Sequence, residues 1–190
     1  MAIYLSIASF FISAVALIIA GYIAYRNYLE KGRIDISLGE TVDLVHPSSD
    51  QLERIHLNCS FANRGAKLGV VKKLVLLARS APLDREIELL WNSFYNHNEK
   101  GEVVYEDHVH PVLVKGKESV FRRIEFSTGE PIQWKAGTHE LELRGWRNEE
   151  DIESLPSLRV GFSVSLDEKT ANNLTKETST SRYLPITITY

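Results

Sequence analysis

The chain has 190 residues, of which 44% are hydrophobic, and 22 Lys and Arg stand against 25 Asp and Glu for a net charge of −3. That length suits one domain plus an appendage, and the composition excludes a collagen-like, disulfide-stapled or wholly disordered chain. A pI near 6.1 also argues against a nucleic-acid-binding module, which carries a basic excess.

Ala2 to Tyr25 contains no charged side chain and is dominated by Ile, Leu, Val, Ala and Phe. Two dozen such residues, at about 1.5 Å rise each, make a helix able to cross a hydrocarbon core of roughly 30 Å. Tyr4 lies near one end, and Tyr22, Tyr25 and Tyr28 near the other, where amphipathic rings settle among headgroups. A cleaved signal peptide is a rival reading. It would carry a positive start, a shorter apolar core and a small-x-small cleavage site, whereas Tyr22-Ile23-Ala24 puts a bulky residue at that site. A buried globular helix would show a polar stripe, which is absent. We therefore expect residues 1–26 to form a single-pass transmembrane helix with the lipid bilayer as its first partner. Ala16, Ala20 and Ala24 recur every four residues, a small-residue spacing that suits helix self-association in lipid.

No Lys or Arg precedes the apolar run, while Arg26, Lys31 and Arg33 follow it. The positive-inside rule then places the rest of the chain on the cytoplasmic side. The lone Cys59 leans the same way, because it cannot form an intrachain disulfide. Residues 27–33 read as a juxtamembrane linker.

Beyond it the pattern alternates. Ile34, Ile36 and Leu38, then Val42 and Leu44, predict a first strand; Ile55, Leu57, Cys59 and Phe61 predict a second. Strands are also predicted over Val70–Ala78, Glu86–Trp91, Val103–Val114 and Val120–Phe126, with Leu83–Phe94 ambiguous between strand and helix. Leu141 and Leu143 alternate with charged residues, Leu158 to Leu166 gives the cleanest alternation, and Ile186 to Tyr190 closes the set. Turn chemistry falls between the runs, at Asn63-Arg64-Gly65, Lys115-Gly116-Lys117, Thr128–Pro131 and Lys135–Thr138. Asp167–Ser181 reads as a polar loop. Short alternating strands without helical crossovers predict a mainly β domain over residues 34–190, an antiparallel two-sheet sandwich.

Leu57–Gly65 followed by Gly69-Val70-Val71 and Leu74-Val75-Leu76 resembles the strand–"N-x-G"–strand opening of immunoglobulin-like domains. Pro111–Glu118 and Ala136–Leu141 are similar to later strands of that family. The resemblance implies an immunoglobulin-like β-sandwich and no particular activity. A single Cys departs from the antibody-type inter-sheet disulfide.

Chemistry is sparse. His108 and His110, with Glu106, Asp107 and His97 nearby, would share one face of a strand and so are weak candidates for a metal site. Exposed histidines on a polar strand face are the simpler reading. No nucleophile elbow, phosphate loop, H-E-x-x-H or C-x-x-C motif is present, so no catalytic residue and no cofactor is expected. Cys59 reads as a buried small hydrophobe; Trp91, Phe94 and Tyr95, as well as Trp134 and Trp146, would line a recognition cleft on one reading and fill the core or its ends on the simpler one. Lys72-Lys73, Arg122-Arg123 and Glu149-Glu150-Asp151 read as solvated charge. The expected function is a membrane-anchored binding or scaffolding module with a protein partner. The alternatives are a membrane-associated enzyme around His108 and His110, and a subunit of a larger membrane complex.

Overall fold

The computed structural model describes residues 2–45, 53–80, 85–99, 102–130, 132, 134–147, 154–175 and 183–190. The acidic triplet at 149–151 and the later part of the expected polar loop, 176–181, lie outside them.

The apolar run forms helix α1, Ala2–Ala24, followed by one π-helical turn over Tyr25–Leu29. A helix apolar all round belongs either wholly inside a large core or across a bilayer. Here the barrel buries none of it: over Ser9–Leu29 the share of buried residues is 0%. By length and composition this helix can cross a membrane.

The remainder is built of β1 (Ile34–Val45), β2 (Glu53–Asn63), β3 (Gly69–Ser80), β4 (Arg85–His97) and β5 (Val103–His108). There follow β6 (Val112–Val114), β7 (Ser119–Thr128), β8 (Gly137–Arg147), β9 (Leu158–Leu166), helix α2 (Glu168–Thr175) and β10 (Tyr183–Thr189). The hydrogen-bonded order runs β5-β4-β7-β2-β1-β10-β9-β8-β3-β6, and a further pairing joins β4 to β3. That pairing closes eight antiparallel strands into a barrel, β4-β7-β2-β1-β10-β9-β8-β3 and back to β4.

The immunoglobulin-like sandwich is therefore wrong, and the resemblance that implied it falls with it. Alternating inward and outward residues serve a sandwich and a barrel equally, because both have one buried face per strand. Closure is decided by β4, whose Arg85–Leu90 pairs with β3 and whose Leu90–Phe94 pairs with β7. A sandwich would have left two free edges here.

Where β3 and β4 diverge, β5 and β6 fill the gap. Ser93 pairs with Glu125 on one side and His108 on the other, so β5 lies on the β3 side of β4. Val71 pairs likewise with Arg147 and with Val112, so β6 lies on the β4 side of β3. The expected single strand Val103–Val114 is thus two strands, with residues 109–111 crossing the gap between them. From Arg85 on, the ambiguous Leu83–Phe94 stretch resolves as β4, residues 83–84 lying outside the described ones, and part of the polar loop is α2.

The lumen is filled. Ile55, Leu57, Cys59 and Phe61 of β2 meet Ile124 and Phe126 of β7, Leu74 and Leu76 of β3, and Phe162 and Val164 of β9 in one buried cluster. Burial also pushes the Cys59 thiol up, as befits a small hydrophobe in the core. One end is plugged by Ile132, Trp134 and Leu174 of α2, all part of that cluster. Trp91 and Phe94 join the lumen, whereas Trp146 packs outside it on Val75 and Leu77.

Candidate functional site

Two places combine polar chemistry with shape. The first is the junction between α1 and the barrel, at the end of the barrel opposite the Trp134 plug. Asn63, at the end of β2, is buried there and uses its whole amide. Its Oδ1 accepts from the Arg33 and Gly65 backbone N–H groups, both at 3.0 Å. Its Nδ2 donates to the carbonyls of Lys67 at 2.8 Å and Val114 at 3.0 Å. The N-x-G turn thus ties linker, β2–β3 turn and β6 together. The Glu30 carbonyl accepts from Ala66 and Lys67 N–H, each at 3.0 Å, only one residue beyond the helical turn. Gly65 is required for this approach, since a Cβ there would collide with the Lys31 carbonyl. The topology residues Lys31 and Arg33 line a cavity of about 620 Å³ here with Tyr25, Leu68 and Arg147. Arg26 lies in the π-helical turn and pairs with Glu30 at 3.5 Å. The anchor residues Ala2, Tyr4, Ala16, Ala20 and Ala24 lie along α1.

The second place is a row across the outside of the barrel. Cross-strand register sets Asp43 beside His56, His56 beside Glu125, Glu125 beside Ser93 and Ser93 beside His108. One transverse line thereby crosses β1, β2, β7, β4 and β5. Outward residues on an exposed barrel wall are normally solvated, yet His56 is 1% exposed. Tyr95 covers it, stacked with ring centroids 4.2 Å apart. The bulge between Trp91 and Ser93 brings this about, by shifting Phe94 inward and Tyr95 outward onto β2.

Glu125 is the hub. Its carboxylate joins His56 Nε2 at 3.0 Å and accepts from Asn92 Nδ2 at 2.6 Å, with Arg54 Nε 4.0 Å away. Burial alone would raise its pKa, but the hydrogen bonds from His56 and Asn92 and the charge of Arg54 hold it below its ordinary value. Asp43 moves the other way, raised by burial against the pull of His56 and His97. The Tyr95 hydroxyl is pushed up by burial and then by Asp43, and it has no hydrogen-bond partner among the described residues. Arg54, Ser93, Tyr95, Tyr105, His108 and Glu125 line a cleft of about 380 Å³. Its floor is an ionised carboxylate and its rim offers a guanidinium, an imidazole and a phenol, a set suited to holding a polar ligand.

The two histidines singled out in the sequence are separated by the strand break. His108 ends β5, packs on Tyr105 with centroids 5.3 Å apart and faces the cleft. His110, in the crossing segment, leans on Phe94 at 4.8 Å, with its Nε2 3.3 Å from Asp107. Among the described residues no three His, Cys, Asp or Glu side chains are grouped to hold a metal ion. The sequence offers Tyr95 as a cleft-lining aromatic but not its union with His56 and Glu125, because only register across non-consecutive strands unites them.

No family model matches the chain, and no curated protein matches it. Among solved structures, a candidate lipoprotein of Bacillus subtilis, ycdA, is 16% identical with a TM-score of 0.40; the match covers 76% of this chain and 41% of that one. A Bordetella pertussis protein assigned as ApaA is 10% identical with a TM-score of 0.34, covering 84% of this chain and 92% of its own. Neither likeness is close enough to carry an activity across.

Proposed function

We propose that this protein is a single-pass, membrane-anchored β-barrel that binds a partner through the cleft around Glu125. The observation that supports it most directly is the pairing of an unburied apolar helix with a barrel wall that buries a polar row. The filled lumen leaves ligand binding to the outside of the barrel, and burying a carboxylate and an imidazole on that outside is costly without a purpose. In this reading the helix is retained as an anchor, Arg26, Lys31 and Arg33 hold the barrel on the cytoplasmic side, and the partner is a protein presenting polar groups to the cleft. Binding, rather than catalysis, is the role assigned.

Two measurements test it. Full-length protein should stay in the membrane pellet after alkaline carbonate washing; its release would remove the anchor. A photo-crosslinking residue placed at Tyr105 should yield a discrete adduct in cells that the same residue at exposed Lys135, on the far end of the barrel, does not. Equal adducts at both positions, or none at Tyr105, would remove the cleft.

A further inference from the structure

The barrel end that carries the anchor is basic although the whole chain is net −3. Lys31 and Arg33 of the linker, Lys67 of the β2–β3 turn, Lys115 of the β6–β7 turn and Arg147 at the end of β8 converge there. The acidic triplet 149–151, which follows Arg147 in the sequence, lies outside the described residues; within them, the acidic groups alongside are Glu30, Asp35 and Glu118. Two of them are already answered: Glu30 by Lys117 at 3.5 Å and Asp35 by Arg64 at 2.6 Å. Beside Lys67 stands Leu68, a large apolar side chain that is 54% exposed. The cavity of about 620 Å³ opens between these residues and Tyr25 at the foot of the helix.

Resting on the anchor reading above, we propose that this rim is a docking surface for the anionic lipid headgroups of the bilayer that α1 crosses. The geometry leaves the rim little choice of neighbour. Leu29 ends the helical segment and Ile34 begins β1, so the five steps between them reach at most about 18 Å. The Glu30 bonds to Ala66 and Lys67 shorten that reach further. Those bonds set Lys67 and Leu68 directly beside the membrane end of the helix, where a Lys or Arg gains from anionic lipid and an exposed Leu can enter the interface. Arg33 at the cavity supplies donors for a headgroup phosphate, Lys31 and Arg147, already partnered within the protein, add positive charge, and Leu68 is placed to enter the interface.

The test uses the full chain in nanodiscs, either neutral phosphatidylcholine or phosphatidylcholine mixed with phosphatidylglycerol. Cys59 is 0% exposed and unreactive, so a nitrobenzoxadiazole label on an L68C chain reports position 68 alone. The label should brighten and shift to the blue in anionic discs, and the change should reverse in high salt. Replacing Lys67 and Lys115 with Gln should weaken the docked state by about fivefold per residue removed. Indistinguishable signals in neutral and anionic discs, or a response indifferent to the two lysines, would overturn the proposal. Carbonate-resistant flotation with neutral vesicles, run in parallel, reports the anchor alone. If flotation persists and the label is silent, the rim is at fault and the anchor stands; if flotation fails, both fall.

Discussion

Asn63 shows how much one side chain can organise when it is buried with every donor and acceptor used. Asn63→Ala would strand the Arg33 and Gly65 N–H groups and the Lys67 and Val114 carbonyls at once. We expect a loss of about 2–4 kcal/mol in urea unfolding of the chain in detergent, with Asn63→Asp little better because it cannot donate to the two carbonyls. Glu53 is a second such residue. Its carboxyl is 7% exposed beneath the plug, and burial pushes it up to about 7 against hydrogen bonds from the Ile132 backbone and the Trp134 side chain. A carboxyl whose folded pKa exceeds its unfolded value binds a proton on folding, so stability falls as pH rises from about 4.5 to about 7 and then levels. Glu53→Gln should remove that slope and leave the chain about 2–3 kcal/mol more stable than the natural one at pH 8, with the two equal near pH 4. Equal urea midpoints at pH 8 would contradict this. Neither residue declared itself in the sequence, because their partners are brought by other parts of the chain: Asn63 looked like a turn residue, and Glu53 lies ahead of the second predicted strand.

Single elements were the most legible level. Phe162 lies mid-way along the cleanest alternation, and the structure buries it in the lumen while Ser163 faces outward and donates to the Thr189 carbonyl at 3.3 Å. Phe162→Ala should cost about 3–5 kcal/mol and Ser163→Ala less than about 1 kcal/mol by urea denaturation. Reading failed where an element's fate hung on distant neighbours. Val103–Val114 reads as one strand candidate, yet it breaks at residues 109–111 because its two halves pair with different strands. The polar faces of β2 and β7 looked solvated, since nothing local told that Tyr95 would fold over them. For α1 the prediction is that Ala20→Leu keeps membrane insertion but lowers any self-association signal in a membrane reporter assay, because Ala16, Ala20 and Ala24 share a face on which two backbones can approach. A native signal no higher than a monomeric control would leave the helix a plain tether.

At the scale of the whole molecule, strand existence followed from alternation, but the way the strands joined did not. Closure into a barrel rests on one pairing, β3 with β4, and pairing partners are a matter of tertiary geometry on which period-2 patterns are silent. Sidedness belongs to this scale too. If Arg26, Lys31 and Arg33 set the topology, protease added outside intact cells should spare the barrel, and permeabilisation should expose it; digestion without permeabilisation would reverse the orientation. The circular order of the strands has a consequence in time. β1, the first strand to leave the ribosome, is flanked by β2 and by β10, the last strand of the barrel, and β10 meets β9 through only two residue pairs, Ile188 with Val164 and Thr189 with Ser163. Until β10 is made the barrel therefore stays open, with bare edges at β1 and β9 once β9 has formed. The nascent protein depends on its final strand to end that exposure, and the short β9–β10 ladder makes the same seam the place where a finished barrel would first breathe open.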